Sequence, residues 1–217
     1  MISNTKSTAG FTKRRMILAT ATAGLPEAFA TSGFHRFNAD DAFSAFHAAG
    51  LWIGPRDALE EMPSFKQIIP YVVVRIGDRL LRYTRASSGG EDRLHGRMSI
   101  GLGGHIDLSD IVSDKDCVDL SATFFKAAQR ELEEEVGEAD LIRADWIGVL
   151  VDQETQVGRV HIGVVGVWNL RSLPAGTRDP GITDLCLCSY SELEQSRNQL
   201  ERWSANLLAS NAIPAGL

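Results

Sequence analysis

Five glutamates fall within the nine residues "RELEEEVGE", Arg130 to Glu138, of a chain that carries a net charge of only −6. On a helix of ~100° per residue, with Glu131 at the origin, Glu134 falls near about −60° and Glu135 near about 40°, while Glu133 lies near about 200°. Glu131, Glu134 and Glu135 therefore share a face, and Glu133 points elsewhere. Like charges at that spacing oppose the helix by roughly 0.2 to 0.5 kcal/mol per pair, and acids near a helix C-terminus also oppose its dipole. Arg130 reaches Glu134 at i+4, but one cation does not neutralise three carboxylates. A hard divalent cation does, and Mg²⁺ takes a few carboxylates, waters and substrate phosphates, so the expected ligand is a diphosphate with its metal. A Glu-rich stretch also fits a solvated helix face. Against that stands "GLGGH", Gly101 to His105, whose glycines let the backbone approach a ligand closely.

The elements around these residues follow from pattern. "DLSATFFKAAQRELEEEVG" predicts a helix of about four turns capped by Asp119 or Ser121 and closed by Gly137, with Phe125, Leu132 and Val136 in an apolar stripe that the carboxylate face borders. "QIIPYVVVRI" and "RLLRYTRA", parted by Gly77-Asp78, predict a hairpin. Further strands are predicted in "RMSIGLGGHI", "DWIGVLVDQ", "RVHIGVVGVWNL" and "TDLCLCSY". "SELEQSRNQLERWSANLLAS" predicts a C-terminal helix with a Ser191/Glu194 capping box and a Leu200, Trp203, Leu207 stripe. Upstream, Asn38 caps a short helix over "NADDAFSAFHAAGLWI", and "RDALEEM" adds a turn before Pro63.

At these residues the sequence resembles the Nudix hydrolase superfamily, whose signature is a glycine, five residues, Glu, seven residues, then Arg-Glu-apolar-any-Glu-Glu-any-Gly-apolar. Arg130, Glu131, Leu132, Glu134, Glu135 and Gly137 fall on motif positions, and "QIIPYVVV", "GEDRLHGRMSIGLGGHI" and "RVHIG" resemble a bacterial branch of it. Two departures stand out. Gly104 and Arg130 enclose 25 residues where the pattern has 13, so the first box glutamate has two candidate counterparts, Asp110 counted forward and Ala122 counted back; and Glu138 stands where an apolar residue belongs. The resemblance implies an α/β fold, a Nudix-like α/β/α sandwich with a mixed sheet, covering residues 67–212. It implies that Arg130, Glu131, Glu134 and Glu135 carry catalysis, with Mg²⁺ or Mn²⁺ held by Glu131, Glu134, Glu135 and the Gly104 carbonyl. The resemblance also implies that Glu131 is a further ligand or the base that deprotonates water, and that Arg130 orients a carboxylate. The implied reaction is attack by water at phosphorus in a nucleoside diphosphate linked to another moiety; the alternative is a non-catalytic nucleotide sensor on the same fold. Arg85 and Arg93, chosen over Arg82 and Arg97, with Gly103 and His105 are the expected substrate contacts.

Other features bound the rest. A chain of 217 residues with 44% hydrophobic and 23% charged residues suits one substantial soluble domain, and its acidity gives no reason to seek nucleic acid. A nucleoside-diphosphate-type small molecule is the expected partner, no membrane is expected, and a homodimer is left open. Cys117, Cys186 and Cys188 lack zinc spacing and read as reduced packing residues. His161 reads as a hydrogen-bonded strand residue, and Trp146 and Trp168 as core or base-stacking residues. Residues 1–37 read as a poorly ordered leader of a cytoplasmic protein, or alternatively as a twin-arginine-like export signal with Lys13, Arg14 and Arg15 before the apolar run Met16–Leu25; 38–66 read as a helical N-terminal extension.

Overall fold

The longest β-branched runs form the two central strands of the computed structural model, which describes residues 15–86, 95–115, 117–173 and 179–213. Strand β4 (Phe65–Ile76) lies parallel to β11 (His161–Leu170), with His161 opposite Gln67 and Asn169 opposite Arg75. Both are buried on both faces, which is why they read as continuous apolar runs and do not alternate. The predicted hairpin is present: Gly77 takes a φ of 61°, and β5 (Arg79–Arg85) returns antiparallel to β4. Strands β10 (Leu141–Val151), β12 (Ile182–Cys188) and β2 (Gly33–Arg36) complete a mixed sheet ordered β12-β5-β4-β11-β10-β2.

Two layers of helix cover this sheet. On one face α1 (Ala39–Ala49) and α3 (Leu120–Val136) pack together, with the rings of Phe43 and Phe124 4.8 Å apart, over Ile68, Val149, Ile162 and Val164. Complete burial of a side chain such as Phe124 stabilises the fold by about 2 to 3 kcal/mol. On the other face α6 (Arg202–Ala209) sets Leu207 and Leu208 against Tyr71, Val73 and Val165. This is the expected α/β/α sandwich on a mixed sheet. Among the described residues, no helix is long and apolar enough to cross a membrane.

Several expectations are corrected. The described part of the presumed leader is a structural element: β1 (Met16–Ala21) pairs with β4 and with β3 (Leu51–Pro55), and Ile17, Leu18 and Ala19 are buried. The first six residues of its apolar run, Met16–Ala21, are a strand covered on both faces, the same pattern that makes a short export segment; Lys13 and Arg14 lie outside the described residues. Asn38 does cap α1, accepting from Asp40 N, and α2 (Arg56–Leu59) is the extra turn before Pro63. The single strand expected over "RMSIGLGGHI" is broken into β6 (Met98–Ser99) and β7 (Gly101–Leu102), because Ile100 N donates to Ser204 Oγ at 3.0 Å and not to a neighbouring strand. The extra loop residues fold into a small hairpin, β8 (Ser113–Asp114) and β9 (Cys117–Val118). The turn between β10 and β11 contains α4 (Gln156–Arg159). The C-terminal helix is two, α5 (Tyr190–Gln195) and α6, and its capping box is Ser189 with Glu192 in place of Ser191 with Glu194.

Candidate functional site

Helix α3 begins where the Asp119 carboxylate accepts from Ala122 N at 2.9 Å, and ends where Gly137 takes a φ of 91° and its N–H reaches Glu133 O. The buried arc of the helix comprises Leu120, Thr123, Phe124, Ala127, Ala128, Glu131, Leu132, Glu135 and Val136. Its centre falls close to the Phe124 direction, so Glu131 and Glu135 sit in the middle of the apolar stripe, not at its border. Phe125, expected in that stripe, is 39% exposed and stacks at its edge on Trp168. The three carboxylates are thus unequal. Glu131 and Glu135 are buried, whereas the Glu134 side chain is 59% exposed at the rim.

Arg130 organises this end of the helix. Its Nε and Nη2 donate to Asp110, the closest contact being 2.7 Å, while Nη1 donates to Glu131 Oε1 at 2.8 Å and Glu134 Oε2 at 3.2 Å. Nη2 also donates to the backbone carbonyl of His105 at 3.0 Å. Burial works against the charge, but the Asp110 hydrogen bonds and the Glu131 carboxylate hold the guanidinium firmly protonated. Of the two candidates for the first box glutamate, Asp110 is the one that meets Arg130. It is 2% exposed, closes the short turn Leu108–Asp110 by accepting from Asp107 N, and gives the half-buried Arg130 guanidinium a buried carboxylate partner. Arg15, from the segment assigned to the leader, donates to Asp107 at 2.6 Å and stands 3.6 Å from Glu131 Oε1.

The glycine-rich strand end closes over the carboxylates. Gly103, at φ 155°, donates its N–H to Glu135 Oε2 at 3.2 Å; a Cβ there would lie 1.9 Å from Pro70 O. A Cβ at Gly104 would stand 2.5 Å from the Glu131 carboxylate, so only glycine lets the backbone pass this close. Burial, reinforced by the charge of Glu131, pushes the Glu135 carboxyl up to about 8, and burial raises Glu131 too. Two buried carboxylates one helical turn apart beside an unobstructed backbone form an all-oxygen donor set of the kind Mg²⁺ and Mn²⁺ prefer. Among the described residues, no three His, Cys, Asp or Glu side chains are already gathered as a metal cluster, since Glu134 turns outward to Arg130.

The expected substrate contacts are placed differently from one another. Arg85 lies with its guanidinium 5.6 Å from the Tyr83 ring centroid, and its Nε is buried with no hydrogen-bond partner among the described residues. Arg93 lies outside the described residues. The Gly103 N–H is taken by Glu135, and the His105 imidazole is turned toward Gln67 and His161, leaving its carbonyl for Arg130. Arg82 and Arg97, passed over from sequence, bind Cys186 Sγ and Asn198 O respectively. Asp110, Asp107 and Arg15 are the residues that sequence reasoning left out or unassigned. Only Asp110 carried a signal, its count from Gly104.

No family model matches the chain. Protein YmaB of Bacillus subtilis (strain 168) is 35% identical over 158 residues, spanning 69% of this chain and 72% of that protein. The crystal structure of Tm1382, described as a candidate Nudix hydrolase, superposes with a TM-score of 0.74 at 28% identity and covers 90% of this chain and 97% of that one. DR0079 from Deinococcus radiodurans shares the fold, with a TM-score of 0.50 at 14% identity over 68% of this chain and 83% of its own.

Proposed function

The chain belongs to the Nudix superfamily, and we propose that it is a Mg²⁺- or Mn²⁺-dependent pyrophosphohydrolase that cleaves a nucleoside diphosphate linked to another moiety. The observation that carries this reading is the burial of Glu131 and Glu135 against the Gly103–Gly104 backbone, with Arg130 locked between Asp110 and Glu131. Ionising both buried carboxylates at once is costly, and Arg130 is shared with Asp110 and Glu134, so a further cation offsets the cost.

Glu131, Glu134, Glu135 and the Gly104 carbonyl are the groups that would hold the metal. When bound, a divalent cation supplies positive charge that polarises the diphosphate oxygens and stabilises charge developing in the transition state. The chain's own residues do the rest. Arg130 fixes Glu131 through Oε1, and Glu131 Oε2 is the atom we assign to accept a proton from the attacking water. The Gly103 N–H orients Glu135, and Asp110 with the His105 carbonyl keeps Arg130 from swinging into the site. Arg85 and Arg93 are assigned to substrate phosphates, where a guanidinium fork suits two oxygens at once, and the Gly103–His105 backbone lines the site edge.

The test is incubation with Mg²⁺ or Mn²⁺ and a panel of nucleotide sugars, dinucleoside polyphosphates, ADP-ribose, NADH and nucleoside triphosphates, comparing the wild type with Glu134→Gln. Metal-dependent release of a nucleoside monophosphate by the wild type, lost in the variant, supports the reading. Tight nucleotide binding by both forms without turnover makes the protein a sensor.

A further inference from the structure

Three side chains that the carboxylate site does not use, the glutamine of "QIIPY" and the histidines of "RVHIG" and "GLGGH", meet at one buried point. Gln67 on β4 and His161 on β11 are register partners across the parallel pair, and His105 comes to both from the strand end that follows β7. His105 Nε2 lies 2.7 Å from Gln67 Oε1 and 3.3 Å from His161 Nε2, with the two rings 5.4 Å apart. Both rings are buried, His105 at 8% exposure and His161 at 7%, and a neutral imidazole carries one N–H and one acceptor nitrogen. His161 Nδ1 stands 2.7 Å from Val157 O and must be the donor there, which makes its Nε2 an acceptor. The proton on His105 Nε2 is then shared between Gln67 Oε1 and His161 Nε2.

Both ends of this chain are fastened. At one end, the turn that presents Val157 O is held by Lys66, buried at 1% exposure, whose Nζ donates to Gly158 O at 3.2 Å and Arg159 O at 3.1 Å. Thr155 accepts from Gly158 N at 2.9 Å in the same turn. At the other end, the carbonyl of His105 accepts from Arg130 Nη2, and Arg130 in turn holds Glu131. Gly103 and Gly104 have no side chains to anchor the backbone that faces Glu131 and Glu135, so that stretch is held by the side chains that flank it, Leu102 in the core on one side and the His105 imidazole on the other.

We propose that His161 and Gln67 are positioning residues: acting through His105, they fix the Gly103–His105 backbone and with it the placement of Arg130 and Glu131. Neither touches the carboxylates. The proposal rests on the hydrolase reading for its effect on turnover, but not for its effect on the backbone. A displacement of about 1 Å at reacting groups is enough to cost up to ~100-fold in rate, so a loosened backbone should be visible in kcat.

The experiment compares His161→Phe, which keeps a ring but offers no acceptor, with His161→Gln, whose Oε1 can accept from His105. Gln67→Met removes the other acceptor and stands in should His161→Phe fail to fold. Turnover is read together with amide hydrogen exchange of residues 101–107. His161→Phe should lose about tenfold in kcat with KM within about twofold, and exchange across 103–106 should quicken about tenfold, while His161→Gln should recover most of both. Wild-type kcat in His161→Phe, or equal impairment of the Phe and Gln variants, would overturn the proposal in favour of simple packing. If the wild type turns over nothing in the panel, the hydrolase reading fails by itself, and the exchange data alone decide this one: unchanged protection of 103–106 in His161→Phe refutes it.

Discussion

Replacing Asp110 by alanine removes the acceptor for Arg130 Nε and Nη2, the closest contact of which is 2.7 Å, and the acceptor for Asp107 N at 2.9 Å. Asp110 is 2% exposed and the Arg130 side chain 23%, so the deletion leaves a half-buried guanidinium without its main carboxylate partner. Breaking a buried pair by removing one partner costs about 3 to 5 kcal/mol, and the lower end applies because Arg130 keeps Glu131, Glu134 and the His105 carbonyl. For a chain of this size a loss of about 3 kcal/mol lowers Tm by roughly 6 to 12 °C, to be measured by thermal circular dichroism with urea unfolding as a second estimate. Asp110→Asn retains an acceptor without the charge and should fall between. Ala122→Ser, at the other candidate position, should change stability by less than about 0.5 kcal/mol. A loss below about 1 kcal/mol for Asp110→Ala, or a comparable loss for Ala122→Ser, refutes the assignment of Asp110 as the partner of Arg130.

Three more outcomes follow from the same structure. Gly104→Ala places a Cβ 2.5 Å from the buried Glu131 carboxylate and must push it off its Arg130 contact, so turnover should fall by about 10- to 100-fold with a moderate loss of Tm; Gly103→Ala meets the Pro70 backbone oxygen at 1.9 Å and should unfold the protein, and a folded, active Gly103→Ala contradicts this. Burial holds the Lys66 amine down at about 8, so between that pH and its ordinary 10.5 the unfolded chain binds more protons than the native one and stability rises with pH. That rise, on the order of 2 kcal/mol once solvent screening is allowed for, should be absent from urea unfolding of Lys66→Met compared at pH 7.5 and 10.5. Deleting residues 1–30, as cleavage after Ala30 would, strips Ile17, Leu18, Ala19 and Phe29 from the core and should abolish cooperative thermal unfolding; a truncated chain with wild-type Tm shows β1 to be dispensable.

Much of this arrangement was legible in the sequence where local rules decide it. Asp119 and Gly137 bound the carboxylate helix because caps act within one turn, and the Gly77-Asp78 hairpin follows from turn chemistry. Helical phase separated Glu133 from its neighbours but misplaced the stripe: choosing Phe125 over Phe124 put Glu131 and Glu135 at its edge when they lie at its centre. Long-range partners were not legible. Nothing local distinguishes a buried strand at Met16–Ala21 from a short export segment, and nothing local says that Arg15, Asp107 and Asp110 converge on Arg130 and Glu131 from three separate places in the chain. The Gln67, His105 and His161 cluster was visible only as three motifs without a common purpose, until the parallel register of β4 and β11 placed two of them side by side.

The central claim, that this carboxylate site drives attack of water at phosphorus, is tested most directly by turnover in ¹⁸O-labelled water with Mg²⁺ and the best substrate of the panel, read by ³¹P NMR. The account predicts one ¹⁸O in a single phosphate product from the wild type, and no product above background from Glu134→Gln. Label in a non-phosphate product, or undiminished turnover by Glu134→Gln, would contradict it.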